Sequence, residues 1–140
     1  MKLSQADMWF SKCIRERARW KCERCEKYYP EGYRQALDCS HLFTRANYSI
    51  RFDPDNAFCH CRGCHGFFSR NPVLFTDWAV ARLGEGVVQS LREKRLDTNL
   101  AKRIKKDLKG VAAHYRKEHG RMIELRAQGR TGIIALRDYS

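Results

Sequence analysis

The sequence predicts an α+β fold: a small two-stranded core stapled by zinc, with α-helices on either side of it. Three observations carry this expectation. Two Cys-x-x-Cys pairs, Cys22–Cys25 and Cys61–Cys64, bracket a 35-residue stretch. That stretch holds two short β-type runs separated by strong turn signals. Apolar residues recur at helical spacing before the first pair and after the second. A chain of 140 residues suits one domain, and 43% hydrophobic residues support a packed core rather than a disordered tail.

Along the chain, Ala6 to Trp20 should be helical, because Trp9 and Cys13, and Phe10 and Ile14, fall four residues apart. The first cysteine pair follows directly. Tyr28, Tyr29, Pro30, Glu31, Gly32 and Tyr33 read as an aromatic turn region. Gln35 to Leu42 is a short strand carrying His41 near its end, and Thr44 to Asp55 is a loop closed by Asp53-Pro54-Asp55-Asn56. Ala57 to Cys61 is the second strand. A short helix then runs from about Cys64 to the residue before Asn71. Asn71 as cap and Pro72 as first residue start a helix over 72–83, ended by Gly84. Glu85 to Leu96 is another helix. Thr98 caps a last one, with Leu100, Ile104, Leu108, Val111, Tyr115 and Met122 on one stripe and weak points at Gly110 and Gly120. The final apolar run, Ile133 to Leu136, is either a strand or a partner contact. The division is an N-terminal helix (1–21), a zinc-stapled core (22–72) and a basic helical region (73–140).

Cys-x-x-Cys spacing makes a tight knuckle whose two thiolates converge, and two knuckles complete a tetrahedral four-cysteine zinc site of Cys22, Cys25, Cys61 and Cys64. Seven cysteines, an odd number, argue against a disulfide framework. Cys59 competes with Cys61 for the third ligand position; Cys61 is preferred because it belongs to a knuckle. Cys13 and Cys39 read as core residues, and His60 as an exposed or hydrogen-bonded histidine.

Charge narrows the partners. There are 28 Lys+Arg against 16 Asp+Glu, a formal net charge of +12. Residues 85–140 carry 14 basic and 7 acidic residues, against 14 and 9 in residues 1–84. So basic a chain seeks phosphate or another anionic surface. Lys102, Lys105, Lys106 and Lys109, on the polar faces of the last helical stretch, are candidate DNA contacts. No run of about 20 apolar residues is present, so no membrane association is expected. The acidic Asp7 and the lack of an apolar N-terminal segment point to a cytoplasmic protein.

His41, Asn56 and His65 follow one another inside the zinc frame, and this order resembles the HNH, or His-Me finger, nucleases. A longer set of residues resembles the lambdoid-phage NinG/Rap recombination endonucleases: Asp7-x-x-Phe10-Ser11-x-x-Ile14-Arg15-x-Arg17, Ser40-His41-x-x-x-Arg45, Ile50-Arg51-Phe52-Asp53-x-Asp55-Asn56, Cys61-x-x-Cys64 and Ser69-x-Asn71. The likeness spans roughly residues 6–95, and the zinc frame is more distantly similar to phage endonuclease VII. It implies a ββα-metal core, a DNA endonuclease of phage or prophage origin working in the host cytosol on branched intermediates such as Holliday junctions and D-loops, and a homodimer, because symmetric cutting needs two active sites. It implies His41 as general base, Asn56 as support of the site and His65 as ligand of a catalytic Mg²⁺ or Mn²⁺ beside the structural Zn²⁺. Arg45 is a candidate phosphate clamp, and Arg45 and Arg51 are candidate DNA contacts. Many HNH nucleases place Asp directly before the base histidine. Here that residue is Ser40, so the metal shell is either His65 with Asp38 or His65 with mostly water. The alternatives are a non-catalytic zinc-finger DNA-binding protein, and an HNH nuclease serving DNA packaging or attack on host DNA.

Overall fold

The computed structural model describes residues 2–30 and 36–140. The expectations for Glu31, Gly32, Tyr33 and Gln35 lie outside these residues. Among the described residues six α-helices and two strands follow in order, with one 3₁₀ turn (Pro54–Asn56) between the strands: α1 (Gln5–Arg17), β1 (Leu37–His41), β2 (Ala57–Cys61), α2 (Arg62–Arg70), α3 (Pro72–Leu83), α4 (Glu85–Arg95), α5 (Thr98–Lys106) and α6 (Leu108–Ala127). The fold is α+β and mostly helical, with a two-stranded sheet.

α1 opens on a capping box. The Ser4 hydroxyl accepts from the Asp7 amide at 3.3 Å, and the Asp7 carboxylate accepts from the Ser4 amide at 2.7 Å. The helix stops at Arg17, short of the expected Trp20. Arg19 (φ 56°) and Trp20 (φ 59°) take left-handed conformations that turn the chain into the first knuckle. α1 packs on α6, burying Phe10, Cys13 and Ile14 with Val111, Tyr115 and Met122.

β1 pairs antiparallel with β2, with Cys39 opposite Cys59 and His41 opposite Ala57. A two-stranded sheet is marginal alone. Here Glu23 laces the first knuckle to it: its amide donates to the Cys59 carbonyl at 2.7 Å, and its Oε2 accepts from the Cys59 amide at 2.7 Å.

β2 is buried along its whole length. That corrects the reading of His60, which is neither exposed nor hydrogen-bonded. It is 0% exposed and packs against Phe68 and Trp78 at ring-centroid distances of 5.2 and 5.0 Å, with neither ring nitrogen partnered among the described residues. Burial pushes its pKa down to about 3, which keeps it neutral.

Other local expectations shift by one side chain. Asn71 stands at the N-cap position of α3 as expected, but its side chain makes no capping hydrogen bond there. Its side-chain Nδ2 donates to the Phe67 carbonyl at 2.8 Å and closes α2 instead. Asp97, not Thr98, caps α5 by accepting from the Leu100 amide at 2.9 Å. The last stripe breaks at Asp107 rather than at a glycine, because the Asp107 carboxylate caps α6 through the Gly110 amide. A Cβ at Gly110 would collide with that carboxylate. The C-terminal segment is no strand. It lies along α6 of its own chain: Ile134 is buried, Arg121 donates to the Ala135 carbonyl at 2.8 Å, and the Arg137 amide donates to Glu118 at 2.8 Å.

One ion pair joins the start of α1 to the loop before β2. Arg51 Nη2 and Nε lie 2.7 and 3.0 Å from the two Asp7 carboxylate oxygens. Burial works to raise the Asp7 pKa, but the hydrogen bonds from Arg51 and Ser4 hold it below the usual carboxylate value. Asp7→Asn leaves a buried guanidinium uncompensated, so it should cost about 3–5 kcal/mol. Urea unfolding would show this as a lower midpoint at constant slope; an unchanged midpoint would refute it.

Candidate active site and metal centre

The strand pair and the loop between its strands position His41. β1 ends at His41, and Asn56 stands immediately before β2. Asn56 is wholly buried and ties the loop to itself. Its Nδ2 donates to the Phe43 and Ile50 carbonyls at 2.9 and 3.0 Å, and its Oδ1 accepts from the Phe43 amide at 2.8 Å. The loop so held presents the Arg51 carbonyl to His41 Nε2 at 2.9 Å. A carbonyl can only accept, so the proton is assigned to Nε2 and Nδ1 keeps its lone pair. Nδ1 has no partner among the described residues. Burial, helped by the Arg45 charge, pushes the His41 pKa down to about 4, so the ring is neutral at pH 7.

An open cleft collects residues far apart in sequence: Leu3, His41, Thr44, Arg45, His65 and Ser69 line it. His65 sits in the first half of α2, and its Nδ1 lies 3.0 Å from Asp38 Oδ2 on β1. The hydrogen bond from His65 holds the Asp38 carboxyl below its ordinary pKa, against the opposing effect of burial. The 3.0 Å separation is that of a hydrogen bond, with a proton between this nitrogen and this oxygen. Ser40 is buried with its hydroxyl unpartnered among the described residues, and Asp38 is the strand residue that reaches His65.

Arg45 Nη2 donates to the Cys39 carbonyl at 3.3 Å, while the buried Nε has no hydrogen-bond partner among the described residues and lies 3.9 Å from Asp7 Oδ1. Its side chain is 30% exposed, which leaves the guanidinium edge toward the cleft able to meet an anion. Arg51 is corrected. At 1% exposure, with its side chain committed to Asp7, it cannot touch DNA. What it contributes here is its carbonyl. Lys102, Lys105, Lys106 and Lys109 are all exposed, and Lys105 Nζ stands 5.4 Å from the Tyr48 ring centre. Thr44 and Leu3 carry no local sequence signal; Ser69, which belongs to the Ser69-x-Asn71 likeness, donates its hydroxyl to the His65 carbonyl at 2.9 Å.

Beside this cleft lies the cysteine cluster. One ligand atom from each of Cys22, Cys25, Cys61 and Cys64 falls within 4.8 Å of the others. Cys25 and Cys61 Sγ are 3.8 Å apart. Tetrahedral zinc with Zn–S bonds of about 2.3 Å sets its sulfurs about 3.8 Å apart, so the donors fit that ion. Each knuckle turns an amide onto its first sulfur: Cys25 N to Cys22 Sγ and Cys64 N to Cys61 Sγ, both 3.5 Å. Cys59 is outside the cluster, and burial pushes its thiol well above the ordinary value. Cys13 and Cys39 are buried as expected.

The His41 environment has a measurable consequence. An unfolded histidine titrates near pH 6.5, and the folded one near 4. Protons therefore bind the unfolded chain first. The stability owed to a neutral His41 is complete above about pH 6.5 and falls as the pH drops toward 4, by up to about 1.4 kcal/mol per pH unit. Histidine-selective NMR should place the His41 midpoint near pH 4; a midpoint at or above 6 would contradict the buried, Arg45-facing ring.

Among the described residues no helix is long and apolar enough to cross a membrane. Comparisons with protein-family models, curated proteins and solved structures find no match for this chain.

Proposed function

We propose that this chain is a metal-dependent DNA endonuclease of the HNH type, selective for branched recombination intermediates. One observation supports the reading above the others: a neutral histidine with its tautomer set by a carbonyl shares a cleft with an arginine and a histidine–carboxylate pair. His41 Nδ1 accepts the proton of the attacking water, a contribution typically of 10²–10⁴-fold. Arg45 holds a non-bridging phosphate oxygen. His65 and Asp38 would hold Mg²⁺ or Mn²⁺, which when bound supplies charge stabilisation for the scissile phosphate and the leaving 3′ oxygen. Asn56 keeps the loop, and hence the Arg51 carbonyl, in place behind His41. The products are 5′-phosphate and 3′-hydroxyl ends. A structural Zn²⁺ in the four-cysteine cluster holds the strand pair to the first knuckle, exposed lysines on α5 and α6 grip the backbone without reading sequence, and a homodimer supplies two cuts.

The test compares cleavage of a synthetic four-way junction with a linear duplex of equal length, in Mg²⁺, Mn²⁺ or EDTA. Metal-dependent nicking that favours the junction is the expected result. Equal cutting of both DNAs removes the recombination role and keeps the nuclease, moving it toward packaging or host-DNA attack. Binding with no cleavage in either metal overturns the enzyme and leaves a zinc-finger DNA-binding protein.

A further inference from the structure

The faces of α1 and α6 that turn away from their shared core leave a groove lined by Gln5, Trp9, Lys109, Ala113, Arg116 and Lys117. No carboxylate lines it. A fourth cation stands at the same place: Lys12 Nζ is 4.8 Å from the Trp9 ring centre, and the Arg116 guanidinium is 5.6 Å from that ring. Several cations elsewhere are paired with acids. Arg82 meets Glu23, Arg92 meets Glu85, Lys94 meets Asp53 and Asp138, and Arg121 meets Glu118. Among the described residues Lys12, Lys109, Arg116 and Lys117 form no ion pair. An aromatic face holds a cation in position without cancelling its charge. The groove is therefore a site where positive charge is gathered, ordered and left uncompensated, which suits a polyanion.

Its position adds to the argument. Leu3 lines the cleft of His41 and Gln5 lines this groove, only two residues further along the chain. Two residues span at most about 7 Å. The cleft and the groove thus adjoin across the start of α1.

We propose that the α1–α6 groove carries the sugar–phosphate backbone of the DNA arm that leaves the cleft, held by Lys12, Lys109, Arg116 and Lys117 through charge rather than sequence. The identity of the arm rests on the endonuclease reading; the binding itself is measured without cleavage. Fluorescence anisotropy in EDTA, with the linear duplex and the four-way junction as probes, gives binding against salt concentration. In Lys109→Gln/Arg116→Gln/Lys117→Gln the log–log salt slope should become shallower by about two to three units, near 0.9 for each lost phosphate contact. The control Lys21→Gln/Arg92→Gln/Arg130→Gln removes the same charge from exposed or half-exposed sites outside the groove and should change the slope far less. Lys117→Glu, one exposed side chain, should weaken binding more than Lys117→Gln; equal binding by the two counts against the groove. Equal slopes for the two triple variants overturn the inference, since net charge alone then explains binding. Groove-dependent binding by a chain that never cuts DNA sustains the inference and removes the endonuclease reading. Cleavage by a chain whose groove variant keeps the wild-type slope does the reverse.

Discussion

On the proposed reading, stripping zinc from Cys22, Cys25, Cys61 and Cys64 should unfold the strand pair and abolish DNA cleavage with it. The four sulfurs tie the first knuckle to the start of α2, and Glu23 on Cys59, Arg82 on Glu23, and Arg24 on Cys64 Sγ and over the Phe67 ring are further links. A structural zinc in finger peptides is worth on the order of 10–16 kcal/mol of apparent binding free energy. Whole domains are stable by only about 5–15 kcal/mol, so the remaining contacts of this segment cannot replace it. Purified protein should hold one equivalent of zinc. Chelation or Cys64→Ser should remove the cooperative thermal transition, and added Zn²⁺ should restore it only in the unmutated chain. A metal-free preparation that melts as the zinc-loaded one does would falsify the cluster's structural role.

His41→Ala is expected to lower cleavage by at least 10²-fold while leaving junction binding in EDTA within about twofold. Its ring lines the cleft with a carbonyl on Nε2, and removing it leaves Arg45, Asp38 and His65 in place. On the endonuclease reading His65→Ala should behave differently, because it would remove the proposed metal ligand and keep the proposed base: higher Mg²⁺ or Mn²⁺ concentrations should recover part of its activity. Titrating metal against rate separates the two roles. Full-rate cleavage by His41→Ala at the wild-type metal concentration would reject the base assignment, and identical metal curves for the two variants would reject the division of labour.

Much of this was readable from local chemistry. The knuckle pairs were legible because Cys-x-x-Cys places two sulfurs together whatever surrounds them. The bounds of α3 were legible because Pro72 lacks a donor that the first helical turn does not need, and because Gly84 takes φ 92° at little cost. β2 was found at its observed limits, Ala57–Cys61, between a turn signal and a knuckle.

Other features were decided by packing between distant segments. Arg51 reads in sequence as a surface cation, but Asp7, 44 positions away, turns it inward. His60 reads as polar, but α2 and α3 close over β2 and strand periodicity loses its polar side. The run Ile133 to Leu136 reads as a strand or a partner contact, but the carboxylate and guanidinium of Glu118 and Arg121 on α6 take up backbone groups at Arg137 and Ala135. The same limit holds at the cleft. The residue types were present at the right spacing, yet the tautomer of His41 depends on one carbonyl, whose place depends on Asn56 bonding both Phe43 and Ile50. The sequence by itself determined which residues have metal-binding and proton-accepting chemistry and where most of its helices begin and end. The tertiary structure decided which of those groups are buried, paired or left facing a cleft, because burial and pairing are set by elements that meet only when the chain is folded.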